Sequence, residues 1–390
     1  MKTSSATTDH RAKSPLRKIG KLGLYAIAVI VAGMLIFALL IAINSPGTTR
    51  PFLNEDGTVV ENSIAEKTFV EINGARQGMF IRGKSLDNPV LLFVHGGPCF
   101  PEYFLFDRYE TGLEELFTVC YWEQRGGGLS YTKGMDPNSV TMDQLKQDTI
   151  AVTDYLRDRF GQEKIYLMAH SGGTFFAIQA AAESPERYCA YIGIAQIADQ
   201  AESERRAYAY IKQRSEETGD RKTLKQLAAY PVLEQEEAVK PFFQSMVRDQ
   251  SMHALGIGTM RNMRSVMKDV FLPVLLCKAY TVQEKINFWA SKFTFIRQTN
   301  LHDEVLATDL TQKVQSLEIP VYFFSGASDM TVNYDLSKSF LDGILSPVKG
   351  FYMFQNSAHS PQFEEPERML EILTKDVLAG ENNLADDVLK

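Results

Sequence analysis

A serine at the junction of a predicted strand and a predicted helix is the first residue whose setting could support chemistry. Residues 165–181 read IYLMAHSGGTFFAIQAA, with an apolar run before Ser171 and small residues leading into a helix-compatible run after it. A sharp strand-to-helix turn lifts one side chain above the edge of a sheet and needs small neighbours, as in the G-x-S-x-G pattern. Ala169 replaces the first glycine, and an ordinary tight turn is the alternative. A nucleophilic serine would need a base and an orienting acid elsewhere.

His359 is the predicted base. It follows the apolar run Phe351–Phe354, so it would lie on a loop at the same end of a parallel sheet as Ser171. His95 ends a strand and His170 adjoins the serine in a tight turn, so both are expected to be structural. The remaining histidines lie before the long apolar segment or in a helical region: His10, His253 and His302.

Asp329 is the predicted orienting acid. It follows the apolar run Val321–Phe324 and precedes His359 by 30 residues, which leaves room for one helix. An aspartate in such a turn could instead cap it. The developing oxyanion would need backbone N–H donors, and the candidates are Gly96 and Gly97 in the HGGP loop, together with Gly172 after the serine.

A second motif fits a different chemistry. Residues 78–85 read GMFIRGKS and match the phosphate-loop pattern G-x-x-x-x-G-K-[ST]. Such a loop must open a helix, but residues 79–82 read as strand and Pro89 prevents a long helix directly afterwards. We therefore do not expect a nucleotide site here.

A long uncharged segment near the N-terminus predicts a membrane anchor. Residues 22–43 contain no charged side chain, and as a helix they would measure about 33 Å, enough for a bilayer core of about 30 Å. A cleaved signal peptide is the alternative, but its apolar region would be shorter and would end at a small-x-small site. Residues 1–21 carry six basic residues and one acid. The positive-inside rule therefore predicts a cytoplasmic N-terminus and a catalytic domain on the outer face of the membrane.

The rest of the 390-residue chain is acidic. The formal net charge is −7 and the basic tail makes the remainder more negative, which disfavours nucleic acid as a partner. No H-E-x-x-H or paired C-x-x-C occurs, so we expect no metal and no other cofactor. We expect mostly buried thiols, with one disulfide as the alternative, at the four cysteines Cys99, Cys120, Cys189 and Cys277.

Alternation of strands and helices predicts an α/β fold with a mostly parallel sheet covered on both faces. Between residues 199 and 312 strand patterns vanish and prolines divide a helix-favouring composition, which indicates a helical insertion. The predicted organisation is a basic tail (1–21), a membrane helix (22–43), a linker (44–65), a first part of the core (66–198), a helical cap (199–312) and a second part of the core (313–390).

Five segments, in this order, resemble the prolyl iminopeptidase branch of the α/β-hydrolase superfamily: HGGPCF, WEQRGGGLS, AHSGGT, GASDMTV and NSAHSPQFEEPE. The resemblance covers residues 90–378 and implies an α/β-hydrolase fold with a helical cap. It assigns Ser171 as nucleophile and Asp329 and His359 as its partners, in the chain order found in this superfamily. It also assigns Gly96 and Gly172 as oxyanion donors.

The sequence departs from the family pattern at Cys99, which replaces a glycine, at Glu123, which replaces an aspartate, and around Ser171. The triad and the fold follow from the resemblance, whereas proline specificity does not. Glu123 is expected to brace loops with Arg125 as an ion pair.

Exopeptidases of this type hold the substrate amine with acids of the cap. Glu202 and Glu204 lie near its start, and solvated helix charges are the alternative interpretation. The sequence therefore predicts a membrane-anchored serine hydrolase acting on a small peptide, N-terminal proline favoured, or on an ester. A carboxylesterase or lipase-like enzyme and an inactive surface binding module are the alternatives.

Overall fold

An eight-stranded sheet forms the centre of the molecule. The computed structural model describes residues 15–386, with the side chains of the first helix described from residue 23. Strands β1 and β2 form an antiparallel hairpin, β2 pairs antiparallel with β4, and all remaining pairs are parallel, in the order β1-β2-β4-β3-β5-β6-β7-β8. The strands β1 to β8 are Ile64–Ile72, Ala75–Gly83, Val90–Val94, Thr118–Trp122, Ile165–His170, Tyr188–Ile194, Val321–Gly326 and Lys349–Phe354. The predicted mostly parallel sheet is confirmed.

The strands predicted before Ser171, Asp329 and His359, at residues 79–82 and before His95 are all present, as β5, β7, β8, part of β2 and β3. Residues 78–83 of the phosphate-loop pattern lie within β2, so no phosphate loop forms there. The four cysteines are free thiols, three of them buried, so the disulfide alternative is wrong.

Helix α1, Pro15–Ile43, precedes the sheet. Its stretch Gly23–Ile43 has a mean hydropathy of 3.1 and no part of the apolar window is buried. By length and composition this stretch could cross a membrane. Residues 1–14 of the predicted basic tail lie outside the described residues.

Successive residues of one strand pack in two different hydrophobic cores, so both faces of the sheet are covered. Leu91 and Phe93 pack in one cluster and Leu92 and Val94 in the other. The helices around the sheet, α2 to α5 and α14 to α16, are Tyr103–Phe106, Leu113–Leu116, Met142–Phe160, Gly172–Glu183, Tyr334–Gly343, Pro361–Glu364 and Pro366–Ile372. Helix α4 begins after Thr141, whose Oγ1 accepts the N–H of Gln144 at 3.1 Å.

Between β6 and β7 the chain forms only helices and turns. Helices α6 to α13 are Gln200–Thr218, Arg221–Leu227, Val239–Phe243, Met246–Leu255, Leu272–Leu276, Val282–Ala290, Leu301–Leu306 and Leu310–Lys313. We call residues 200–313 the cap. Its first part has a core of its own that includes Tyr208, Ile211 and Phe242. Its second part packs Tyr280 and Phe288 into the sheet's core.

Candidate active site

Ser171 lies in the turn between β5 and α5 with a strained backbone. Its φ of 50° and ψ of −125° fall in a region that L-residues rarely adopt. The turn also lies very close to the loop after β3, since a Cβ on Gly173 would lie 2.4 Å from the carbonyl oxygen of His95. Ala169 is fully buried inside β5, before the turn begins. The missing first glycine is therefore compatible with the sharp turn.

A continuous line of hydrogen bonds joins Ser171 to two loops at the carboxyl ends of β7 and β8. Nε2 of His359 lies 2.7 Å from Ser171 Oγ, and Nδ1 of His359 lies 2.8 Å from Asp329 Oδ2. The other oxygen, Oδ1, accepts the backbone N–H groups of Thr331 and Val332 at 2.8 and 3.0 Å. Asp329 is fully buried and His359 nearly so. The structure thus brings together the three residues that the sequence singled out, in an arrangement suited to nucleophilic attack.

The two expected oxyanion donors differ in availability. The N–H of Gly96 donates to Glu102 Oε1 at 2.9 Å, so it is occupied. The N–H groups of Gly97 and Gly172 have no acceptor within the described part of the chain. A Cβ placed on Gly172 would lie 3.1 Å from the nitrogen of Gly97, so the two N–H groups are close neighbours. The geometry therefore favours the N–H of Gly97 over that of Gly96 as one oxyanion donor. The N–H of Gly172 stays the other expected donor.

A buried ion pair next to the triad was not anticipated from the sequence. Nδ1 of His170 lies 2.8 Å from Glu102 Oε1, and Nε2 lies 2.8 Å from the carbonyl oxygen of His359. Burial alone would lower the pKa of His170, but the carboxylate of Glu102 raises it above its ordinary value. Burial likewise opposes ionisation of Glu102, yet His170 holds the pKa of that carboxyl below its ordinary value. A charged His170 can donate from both nitrogens, which ties the HGGP loop, the serine turn and the His359 loop together.

The cap acids lie in different surroundings. Glu204 is fully buried, and its carboxylate accepts from Arg248 Nη2 at 2.6 Å and from Arg248 Nε at 2.7 Å. Gln200 bridges Glu204 at 2.9 Å to the carbonyl oxygen of Thr331 at 2.9 Å, two residues from Asp329. Glu202 instead pairs with Arg206 at 3.1 Å on the partly exposed side of the same helix. Glu204 is thus the cap acid that is connected to the triad loop.

The expected pairing of Glu123 with Arg125 is wrong. Arg125 donates to Asp148 at 2.7 and 2.9 Å. Glu123 accepts from the backbone N–H of Leu129 at 2.6 Å and from the hydroxyl of Tyr280. Burial raises the pKa of Glu123 to about 8. Both side chains still brace loops, but through separate partners.

His95 has the structural role expected of it. Its Nε2 accepts the N–H of Gln124 at 3.1 Å, and its Nδ1 lies 2.9 Å from the carbonyl oxygen of Gly96. Burial lowers the pKa of His95 to about 4. A neutral imidazole therefore joins the HGGP loop to the loop after β4.

Comparisons with known proteins agree with this architecture. A profile described as alpha/beta hydrolase fold matches residues 89–366. A Bacillus subtilis (strain 168) protein named "Probable aminopeptidase YbaC" is 31% identical over 319 residues, which is 81% of this chain and 97% of that protein.

Two solved structures of related fold have prolyl iminopeptidase names. The proline iminopeptidase of Mycobacterium smegmatis superposes with a TM-score of 0.55 at 15% identity, covering 81% of this chain and 100% of that one. A proline iminopeptidase-related protein from Thermus thermophilus gives a TM-score of 0.51 at 20% identity, covering 81% and 98%. At these identities the structural likeness concerns the fold.

Proposed function

Since this chain belongs to the alpha/beta hydrolase fold family, in its prolyl iminopeptidase-like branch, we propose that it is a serine hydrolase that works through an acyl-enzyme. The observation that carries the proposal is the unbroken line of hydrogen bonds from Asp329 through His359 to Ser171. A serine hydroxyl becomes an effective nucleophile only when a positioned base takes its proton. The strained turn holds the hydroxyl beside that base.

The chemistry follows from the positions of the three side chains. As Ser171 Oγ attacks a carbonyl carbon, its proton passes to Nε2 of His359, and Asp329 stabilises the imidazolium that forms. His359 then gives the proton to the leaving nitrogen or oxygen as the bond from the carbonyl carbon to that atom breaks. Water, deprotonated by the same His359, attacks the acyl-enzyme, and the proton returns to Ser171 as the acid departs.

The N–H groups of Gly97 and Gly172 would stabilise the oxyanion of both tetrahedral intermediates. They are neighbouring donors without an internal acceptor in the described chain, at the carboxyl edge of the sheet beside Ser171. Donors fixed before the reaction cost no reorganisation when the charge develops. Each such donor contributes about 10²- to 10³-fold in kcat.

We propose an aminopeptidase activity on short peptides, with N-terminal proline favoured. Support comes from the relative named as a probable aminopeptidase and from the position of Glu204. The substrate ammonium would share the carboxylate of Glu204 with Arg248, or displace that guanidinium. A buried carboxylate in the cap suits a free amine and gives an N-blocked peptide no partner.

We also propose that α1 anchors the enzyme, with the catalytic domain on the outer face of the membrane. The support is the apolar stretch Gly23–Ile43 together with the basic residues that precede it. Protease added to intact cells would then reach the catalytic domain, whereas full protection would invert the proposed orientation.

The activity is tested by profiling the purified full chain in detergent. Free proline and alanine arylamides would be compared with their N-blocked forms and with short and long acyl esters, using Ser171→Ala as the inactive reference. We expect turnover of the free amides, proline fastest, and loss of all activity in the reference. Equal rates on blocked and free amides, or activity on esters alone, would reject the aminopeptidase and leave the serine hydrolase in place.

A further inference from the structure

Seven large apolar side chains within residues 266–293, in the second part of the cap, are exposed. We call this surface the cap patch, and in it the exposed fractions run from 41% to 64%. Its members are Val266, Met267, Leu272, Leu276, Val282, Ile286 and Phe293. They make up half of the exposed large hydrophobic side chains that the described chain has outside α1. A clustered apolar surface of this kind marks an interaction site.

The chain leaving α1 is bound to the helices that carry the cap patch. The ammonium of Lys285, a residue that is only 2% exposed, donates to the carbonyl oxygen of Asn44 at 2.6 Å and to Ser45 Oγ at 2.9 Å. It also donates to the carbonyl oxygen of Leu275 at 2.6 Å, which joins α10 to α11. The N–H of Gly47 adds a bond of 3.0 Å to the carbonyl oxygen of Lys278. The end of α1 is therefore fixed beside α10 and α11.

The charge of this region differs from the rest of the domain. Residues 261–292 contain two acidic side chains and, besides the buried Lys285, five basic ones, within a chain whose net charge is −7. Basic residues beside an apolar surface are favoured where protein meets anionic lipid headgroups. The same region contains Trp289, whose ring stacks on Phe293 with centroids 5.5 Å apart. Tryptophan is enriched at the membrane interface. The composition of this region and its position beside the end of α1 therefore both favour contact with the membrane.

We propose that the cap patch lies in the interfacial layer of the bilayer that α1 enters, so that the cap is seated on the membrane. The inference rests on the proposed anchoring. A helix that ends against Lys285 leaves the bilayer within a few residues of Val282 and Ile286, which places these side chains at headgroup depth. Burying them in the interface removes apolar area from water, and the basic residues gain the attraction of anionic headgroups.

Tryptophan fluorescence of the full chain in vesicles tests the proposal. The chain has two tryptophans, Trp122 and Trp289, and Trp122 is buried in β4 at 1% exposure. Vesicles would contain phosphatidylcholine and phosphatidylserine, with or without bromine on the acyl chains near the headgroups. We expect brominated lipid to reduce the emission of the natural protein strongly, and to leave the emission of Trp289→Phe almost unchanged.

Substitutions in the cap patch provide the second arm. Leu276→Glu and Ile286→Glu should each restore much of the lost emission, because a carboxylate resists entry into an anionic interface. Leu345→Glu is the matched control, since Leu345 is 74% exposed and lies outside the cap patch; its quenching should equal that of the natural protein. Alkaline flotation of the vesicles reports the anchoring separately.

Three results would overturn the proposal, and each is distinct. A protein that floats with the vesicles but shows no quenching of Trp289 would leave the anchoring intact and remove the seated cap. Unquenched Trp289 accompanied by cross-links between copies at Ile286 would assign the cap patch to a second copy of the chain. A protein that fails to float would remove the anchoring, and with it the basis of the inference.

Discussion

Replacing Asp329 by asparagine should abolish most of the activity while preserving the fold. Oδ1 of Asp329 accepts two backbone N–H groups, from Thr331 at 2.8 Å and Val332 at 3.0 Å. In Asp329→Asn the amide oxygen must take that position, because an NH₂ group there would face two donors. The amide NH₂ must then face Nδ1 of His359, which is 2.8 Å from Oδ2 in the natural protein.

The orientation of that amide decides the tautomer of the base. Nδ1 of His359 would have to accept, so the ring proton would move to Nε2, which faces Ser171 Oγ at 2.7 Å. An Nε2 that carries a proton cannot take another from the serine. The corresponding change in a serine protease triad lowers kcat about 10⁴-fold, and at about 1.4 kcal/mol per factor of ten this equals roughly 5 kcal/mol of transition-state stabilisation.

The assay measures kcat on a free proline arylamide and on an acetate ester, together with thermal unfolding followed by circular dichroism. Both substrates should lose activity alike, because both need the same base, while the isosteric side chain keeps Tm nearly unchanged. Asp158→Asn, on the exposed side of α4, is the matched control and should behave like the natural protein. An Asp329→Asn enzyme within tenfold of the natural rate would refute this account of the triad.

Three further predictions concern groups around the triad. Glu204→Gln should reduce turnover of a free proline arylamide about 30- to 1,000-fold, equivalent to about 2–4 kcal/mol, while sparing acetate esters. Glu216→Gln, exposed on the same helix, is the control. An equal loss of activity on esters would contradict an amine-binding role for Glu204. Because burial lowers the pKa of His95 to about 4, the folded protein binds fewer protons there than the unfolded chain, so about 3 kcal/mol of stability should be lost as pH falls from 6.5 towards 4. The free energy of unfolding of His95→Gln, measured with denaturant, should not show this loss at low pH. A variant whose stability depends on pH as in the natural protein would contradict the prediction. His170→Phe removes the link from Glu102 to the His359 loop and should lower kcat about 10- to 100-fold with little change in KM; a change confined to Tm would make the pair merely structural.

The sequence predicted the strands and the triad because both leave local signals. The apolar runs that precede Ser171, Asp329 and His359 all became strands, so the carboxyl edge of a parallel sheet had to bring the three reactive residues together. The small residues after Ser171 were equally informative, since a Cβ on Gly173 has no room beside His95.

The features that were missed depend on partners far apart in the chain. Arg125 finds Asp148, 23 residues away, and Glu102 finds His170, 68 residues away, and neither pairing has a spacing that a pattern could reveal. Gly96 and Gly97 are equivalent in the sequence. The N–H of Gly96 is occupied because the carboxylate of Glu102 lies beside it, and that contact has no local sequence signal.

The contact between the end of α1 and the cap was likewise invisible. Lys285 reads as an ordinary helix charge, yet it is buried and bound to Asn44, 241 residues earlier. Sequence patterns report burial and periodicity, whereas the partner of a buried polar group depends on how the whole chain folds.

Labelling with a fluorophosphonate probe, followed by mass spectrometry of the full chain, tests the central claim most directly. The probe reacts with a serine only where a base activates it and oxyanion donors receive the developing charge. We predict one modification per chain, on Ser171, lost in Ser171→Ala and slowed about 10⁴-fold in Asp329→Asn, as the effect on kcat implies. Well-folded protein that is not labelled at Ser171, together with hydrolysis that persists in Ser171→Ala, would contradict the proposed mechanism.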